Sequence, residues 1–223
     1  RNVESTWKEY IKPNLLDCNP DWEIDIFMHS WFQKEEIGKQ YIALNWSVAY
    51  SPVPTNILDI IYNCYNPKKL LLEKQIEFDE KNYNERKSNG MIPKYSLSKC
   101  YSMEKSHELK KRYEIENKFT YDLVMTIRTD LGIQSQIILN NFDQNYANVS
   151  EHGVWNSYGV DVSHCIMGSK ISDDYAKLLD HLEDYYNSGL VFVDEQFFHK
   201  HMESYSIPIN RTALLNNYIL VRG

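Results

Sequence analysis

Three short constellations combine residue types able to handle phosphate, metal or protons. His29-Ser30-Trp31 follows the apolar run Ile24–Met28, Arg128-Thr129-Asp130 follows Tyr121–Ile127, and Gly168-Ser169 follows Val160–Met167. Arg128 and Asp130 alternate across Thr129, so an extended backbone points both side chains the same way. The Asp130 carboxylate can hold a hard divalent cation. The Arg128 guanidinium can grip a phosphate through two parallel hydrogen bonds. Together they suit a metal–diphosphate complex. They equally suit an Arg–Asp salt bridge, or an Asp that caps the turn before Gly132. Asp194-Glu195 follows the apolar Leu190–Val193 and could supply a general base towards a hydroxyl. The plainer reading is two acids in a first helical turn, where the dipole stabilises them. His29, His152 and His164 are further candidate ligands or phosphate contacts. His107, His181, His199 and His201 read as solvated residues on charged helical faces. GxGxxG, Walker A, HExxH and GxSxG patterns are absent from the sequence. Dehydrogenase, P-loop, zincin and serine-hydrolase readings lose their best support with them.

The elements that must position these residues alternate in type. Helical spacing of Val3, Trp7, Tyr10, Ile11 and Leu15 predicts a helix over 3–16, limited by Pro13. A buried strand is predicted at Ile24–His29, a helix over 33–47, a second at Asn56–Tyr65 and a strand at Leu70–Phe78. Residues 79–94 contain Asn89-Gly90 and Pro93 and read as a loop. The clearest helix spans 95–117, with Leu97, Tyr101, Glu104, Leu109 and Tyr113 along it. Strands follow at Tyr121–Ile127 and Val160–Met167. The Asn- and Gln-rich 132–151 reads as a loop with one short strand at Ile137–Leu139. Helices are expected at Ser172–Tyr186, capped by Ser172, and at Val193–Tyr205. A terminal strand is expected at Asn217–Arg222. Strands alternating with helices predict an α/β fold, a mostly parallel central sheet with helices on both faces. In such sheets ligands bind outside the carboxyl ends of the strands, which is where the three constellations fall.

Bulk properties narrow the class. The 223 residues fit a single domain, 1–223, and 43% hydrophobic content is enough for a core. A net charge of −7 argues against a nucleic-acid partner. It leaves room for an anionic ligand, which needs only a few local donors. No apolar run reaches the roughly 20 residues of a transmembrane helix, and the start shows no signal-peptide pattern. The four cysteines are scattered with no CxxC pair, so they read as buried thiols in a reducing, cytoplasmic compartment rather than as a zinc site. Sequons at Asn45, Asn148 and Asn210 are expected by chance in an Asn-rich chain.

Taken in order, the motifs resemble a family of small bacterial and large-virus proteins, similar to WavE-type lipopolysaccharide synthesis proteins and viral capsid glycosyltransferases. The segment Asp25-Ile-Phe-Met-His29-Ser-Trp31 resembles its "DvFiHtW" stretch. Tyr95-Ser96 through Lys110 and Tyr113-Glu114 looks like its long helix. Tyr121-Asp122-Leu123-Val124 to Arg128-Thr129-Asp130-Leu131 resembles "YDlVirtRpDl", and Gly168-Ser169 its "GS" turn. Glu195 with its helix, and Tyr218–Arg222, complete the set over nearly the whole chain. The resemblance implies a GT-A-like fold and transfer of a sugar from a nucleotide-sugar donor to a glycan or glycoprotein acceptor in a bacterial or infected-host cytoplasm. It places Arg1, His29, Trp31, Arg128, Asp130, Gly168 and Ser169 at the donor, and Asp194 and Glu195 at the chemistry.

The chain departs from that pattern in three places. GT-A folds hold Mn2+ or Mg2+ with Asp-x-Asp, and this sequence has Arg-Thr-Asp. Asp130 is left as the metal ligand, and Arg128 could take over part of the ion's charge. The family's opening strand ends in a turn with an Arg, so Arg1 is read as that Arg and the first strand as missing from this numbering. His164 stands in the segment where an Asp often precedes the "GS" turn. Two rivals share these features. One is a catalytically silent module of the same fold that binds a glycan or a protein. The other is a nucleotidyltransferase, which would want clustered acids and a Gly-rich loop.

Overall fold

The computed structural model describes residues 3–39, 42–43, 48–49, 52–83, 92–152 and 158–221. They form a mixed α/β protein whose largest sheet is mixed rather than parallel, and the sheet does not close into a barrel. The chain divides into two compact units, interleaved in sequence: 1–75 with 127–141 and 217–223, and 76–126 with 142–216.

The first unit opens with α1 (Val3–Thr6), which continues without a break into a π-helical segment, Trp7–Leu16. Pro13 lies inside that segment and does not end it. The wide turn shows in the bond from Asp17 N–H to the Lys12 carbonyl, five residues back, at 2.9 Å. The predicted apolar face is the buried one: Val3, Trp7, Ile11 and Leu15. Strand β1 (Phe27–Trp31) pairs in parallel with β4 (Lys69–Glu73). Between them run two short strands, β2 (Ile42–Ala43) and β3 (Val48–Ala49), and helix α2 (Ile57–Tyr65). A parallel pair needs such a long crossover. The helix predicted over 33–47 does not form: Lys34–Glu36 is one 3-10 turn, and Ile42–Ala43 pairs antiparallel with Val48–Ala49. Helix α2 ends at Asn66, which takes the left-handed conformation that Asn tolerates. The Trp7 and Tyr65 rings lie 4.5 Å apart, and the Tyr65 hydroxyl donates to the Val3 carbonyl. Asn14 and Asn19 then fasten the π-helical segment and the turn after it to residues 133–139, through Asn14 Nδ2 to the Ile133 carbonyl (2.6 Å) and Asn19 Nδ2 to the Ile137 carbonyl (2.7 Å).

The second unit is built on helix α3 (Pro93–Asn117) and a four-stranded sheet. Pro93 sits in the first turn of α3, where its missing N–H is harmless. The buried face of α3 is Ser96, Cys100, Met103, His107, Lys110 and Glu114, spaced four and three residues apart. That is not the face drawn from the larger side chains: Tyr101, Glu104, Leu109 and Tyr113 are only half-buried. The sheet order is β5 (Val124–Ile127), β8 (His164–Met167), β7 (Ala147–Ser150), β9 (Ile209–Thr212). Strand β7 runs antiparallel to β8 and parallel to β9. Strands β7 and β9 went unpredicted because they are short and carry Asn, Ser and Arg among their apolar residues. The single helix expected at Ser172–Tyr186 is two, α4 (Ser169–Tyr175) and α5 (Leu178–Asn187), and Ser172 lies inside α4 rather than at its cap. Helix α6 (Asp194–Ser204) forms as expected. Phe192, Phe197, Phe198, Leu178, Leu182 and Met202 fill the core and are fully buried. Burial of each such side chain contributes roughly 1.5–3 kcal/mol.

The expected strand at Ile137–Leu139 is instead β6 (Leu131–Ile133), which pairs antiparallel with β10 (Tyr218–Leu220) in the first unit. Among the described residues no helix is long and apolar enough to cross a membrane.

Candidate functional site

In the first unit, His29 lies on β1 and its imidazole meets Glu73 Oε2 on β4 at 3.0 Å, with the His29 side chain fully enclosed. Trp31 stands edge-on to it, ring centres 4.7 Å apart. The parallel register of β1 and β4 produces this grouping, since it brings Glu73 opposite Trp31, two residues on from His29. Arg128 and Asp130 sit in the turn between β5 and β6. Arg128 Nε donates to Asp130 Oδ1 (2.8 Å) and Nη2 to Oδ2 (2.7 Å), with the two side chains 45% and 34% exposed. Both carboxylate oxygens are therefore occupied by one guanidinium. Among the described residues no three His, Cys, Asp or Glu side chains converge as a metal site. Asp130, the expected Mn2+ or Mg2+ ligand, is paired with Arg128 in this way. Arg1 lies outside the described residues.

In the second unit, Gly168 and Ser169 stand between β8 and α4 and are held by close contacts. A Cβ on Gly168 would stand 2.5 Å from the Gln144 carbonyl oxygen, because Gly168 N–H donates to that same carbonyl at 2.9 Å. Only glycine allows so close an approach. The Ser169 hydroxyl donates to Glu114 Oε1 (2.6 Å) and accepts from Lys110 Nζ (2.5 Å). Lys110 is itself buried, and its ammonium also reaches Asp173 Oδ1 (2.8 Å), Glu114 Oε2 (3.1 Å) and Ser172 Oγ (3.4 Å). Glu114 in turn accepts from the Tyr121 backbone N–H. A buried charge is tolerated only when paired and hydrogen-bonded in this way. The i, i+4 spacing of Lys110 and Glu114 was visible in the sequence; their partner Asp173 was not.

Asp194 and Glu195 open α6. Lys99 Nζ holds Asp194 Oδ2 at 3.0 Å, and its ammonium lies over the Phe198 ring. Glu195 is the more distinctive of the two. Burial raises its carboxyl above the usual glutamate range, and the charges of Asp194 and Asp161 raise it further. The Glu195 carbonyl accepts from Val160 N–H, which ties the start of α6 to the segment before β8.

The histidines divide differently from their sequence reading. His107 and His201 are buried, not solvated. His201 Nε2–H donates to the Asp174 carbonyl (2.7 Å) and Nδ1 accepts from the Tyr185 hydroxyl (3.0 Å). His107 Nδ1–H donates to the Met103 carbonyl (2.8 Å). Desolvation lowers both to about 4, so both are neutral at pH 7. His164 is also buried and lowered by desolvation, whereas His152 is exposed. Cys100 and Cys165 are the buried thiols expected, and burial pushes Cys100 up to about 12. Cys18 and Cys64 are half-buried.

No protein-family model matches the sequence, and no curated protein matches it.

Proposed function

We propose that the chain is a glycosyltransferase that moves a sugar from a nucleotide-diphosphate donor to a glycan or protein-linked glycan acceptor. The observation that carries this reading is Glu195, a half-buried carboxyl whose proton affinity is raised by desolvation and by neighbouring acids. A carboxylate of that kind is the stronger base towards a hydroxyl. Lys99 occupies Asp194 and leaves Glu195 as the base. In the reaction Glu195 takes the proton of the acceptor hydroxyl. The hydroxyl oxygen forms a bond to the anomeric carbon, and the bond from that carbon to the donor's diphosphate oxygen breaks. Within the first unit the exposed Arg128 guanidinium, closed on Asp130, has the fork geometry that suits a diphosphate. In the same unit Trp31, edge-on to His29, adds an aromatic surface. The ordered set of motifs from Asp25 to Arg222 supports the same reading.

The two-point closure of Arg128 on Asp130 also favours a second reading, a catalytically silent module of the same fold that binds a glycan or a protein. Calorimetry with UDP-, GDP- and CMP-sugars, followed by turnover assays, separates them. Sugar transfer predicts that Glu195→Gln lowers turnover by about 10²–10⁴ with donor affinity unchanged. It also predicts that Arg128→Ala weakens donor binding. Binding by none of the donors, or a Glu195→Gln protein with wild-type turnover, would rule the reading out.

A further inference from the structure

An open cleft of about 410 Å3 in the second unit lies between the C-terminal end of α3 and α4, lined among others by Lys111, Glu114, Lys118, Phe119, Lys170 and Asp173. The geometry points to this cleft as a binding site for a small phosphorylated molecule; Ser169, which the resemblance places at the donor, also lines it, while Arg128 and Glu195, which carry the sugar-transfer reading, do not.

Charge is the first support. Lys111, Lys118 and Lys170 line the cleft and are exposed, while the enclosed Lys110 lies beneath Ser169 and Asp173. These four cations outnumber Glu114 and Asp173, which leaves two positive charges in a chain of net −7. A locally cationic concavity in an acidic protein concentrates anions. Lysine ammonium groups bind phosphate as point charges without needing a fixed fork geometry.

The floor is preorganised. Glu114 and Asp173 are each held by Lys110, and Asp173 also by Lys111 at 3.1 Å, so the two acids are already neutralised from within the protein. Lys118 and Lys170 are then left to set the sign of the open side. Lys118 closes α3 in the left-handed turn by which helices commonly end, with its N–H on the Glu114 and Ile115 carbonyls, and this fixes its backbone at the rim of the cleft. Beside it, Phe119 is 40% exposed and Ile115 68% exposed. Phe119 is held edge-on between Tyr113 and Tyr121, ring centres 5.9 and 4.8 Å away. The apolar wall fits the organic part of a phosphate ester, and the lysines fit its phosphate.

The test uses wild-type protein and inorganic pyrophosphate. Lysines are acetylated with acetic anhydride, with and without pyrophosphate, and the modification rate of each is read by mass spectrometry. At ten times the Kd, Lys118 and Lys170 should react about tenfold more slowly, by simple mass action, while Lys8 and Lys200 keep their rates. A Lys118→Ala/Lys170→Ala protein should lose about tenfold or more in pyrophosphate affinity by calorimetry, the loss falling as salt rises. Absence of protection, protection spread equally over Lys8 and Lys200, or a double variant with wild-type affinity would each overturn the inference. Arginine is not acetylated under these conditions, so a diphosphate held at Arg128 leaves the lysine pattern unchanged. The two proposals can therefore fail separately.

Discussion

Lowering the pH from 7 to 5 should destabilise the second unit by about 4 kcal/mol, with His107 and His201 as the main cause. Both are buried and both are depressed to about 4 in the folded chain. In the unfolded chain a histidine titrates near 6.5. Between those values the unfolded state binds more protons, so stability is full above about pH 6.5 and is lost as pH falls towards 4. Working the linkage from pH 7 to pH 5 gives about 2 kcal/mol for each histidine. The groups facing them change this only in part: Lys110 and Asp173 near His107, and Asp174, Lys177 and His181 near His201, act in opposite senses and rank below desolvation. Two such losses would remove much of a stability that is typically about 5–15 kcal/mol. The assay is urea denaturation at both pH values, followed by near-ultraviolet circular dichroism. The control is His107→Asn/His201→Gln, which keeps an N–H in place for the Met103 and Asp174 carbonyls without a titrating group. The control should lose about 4 kcal/mol less than the wild type over the same pH step. A wild-type loss under about 1 kcal/mol, or an equal loss in both proteins, would refute the reasoning.

Gly168→Ala should lower stability by roughly 1–3 kcal/mol by thermal denaturation, since the new methyl meets backbone rather than a movable side chain. Lys110→Met should cost about 3–5 kcal/mol, because Glu114 and Asp173 lose their shared cation. Adding Glu114→Gln and Asp173→Asn to that variant should restore part of the loss, and an unchanged melting temperature would contradict it. Asn148 should stay unglycosylated in a secreted form of the protein, because its amide is buried and donates to the Ile166 carbonyl while its oxygen accepts from Asn210. Mass spectrometry of the peptide carrying residues 148–150 decides that point.

The elements that read correctly have periodic apolar faces and local end signals. Helix α2 begins after Pro54-Thr55, α3 has Pro93 in its first turn, and α6 opens with two acids. Strands β4, β5, β8 and β10 are legible but read too long, because apolar runs extend past the hydrogen-bonded ladder, and β1 is read to begin at Ile24 and end at His29 where it forms at Phe27–Trp31. Strands β7 and β9 escape, being short and held by partners far along the chain: β7 exists through Cys165, Ile166 and the 209–212 segment. Strands β2 and β3 escape because each is two residues long, although they pair locally with one another. The salt-bridge alternative for Arg128 and Asp130 is what the structure forms, and it was legible because the two residues are only two apart. The Lys110–Ser169–Asp173 network was not legible, because its members are 59 and 63 residues apart.

The sequence by itself determined the α/β class, the long helix α3 and the placing of Arg128 and Gly168 just past strand ends, whereas His29, expected there too, lies inside β1. These follow from periodicity and backbone preference, which act over a few residues. Tertiary structure alone decided which polar side chains lost their water. His107 and His201 look like surface residues on charged helices, yet both are enclosed and neutral. Glu195 looks like an ordinary first-turn acid, yet burial lifts its proton affinity. Desolvation depends on what packs over a group, and that is set by contacts between distant segments rather than by neighbours along the chain.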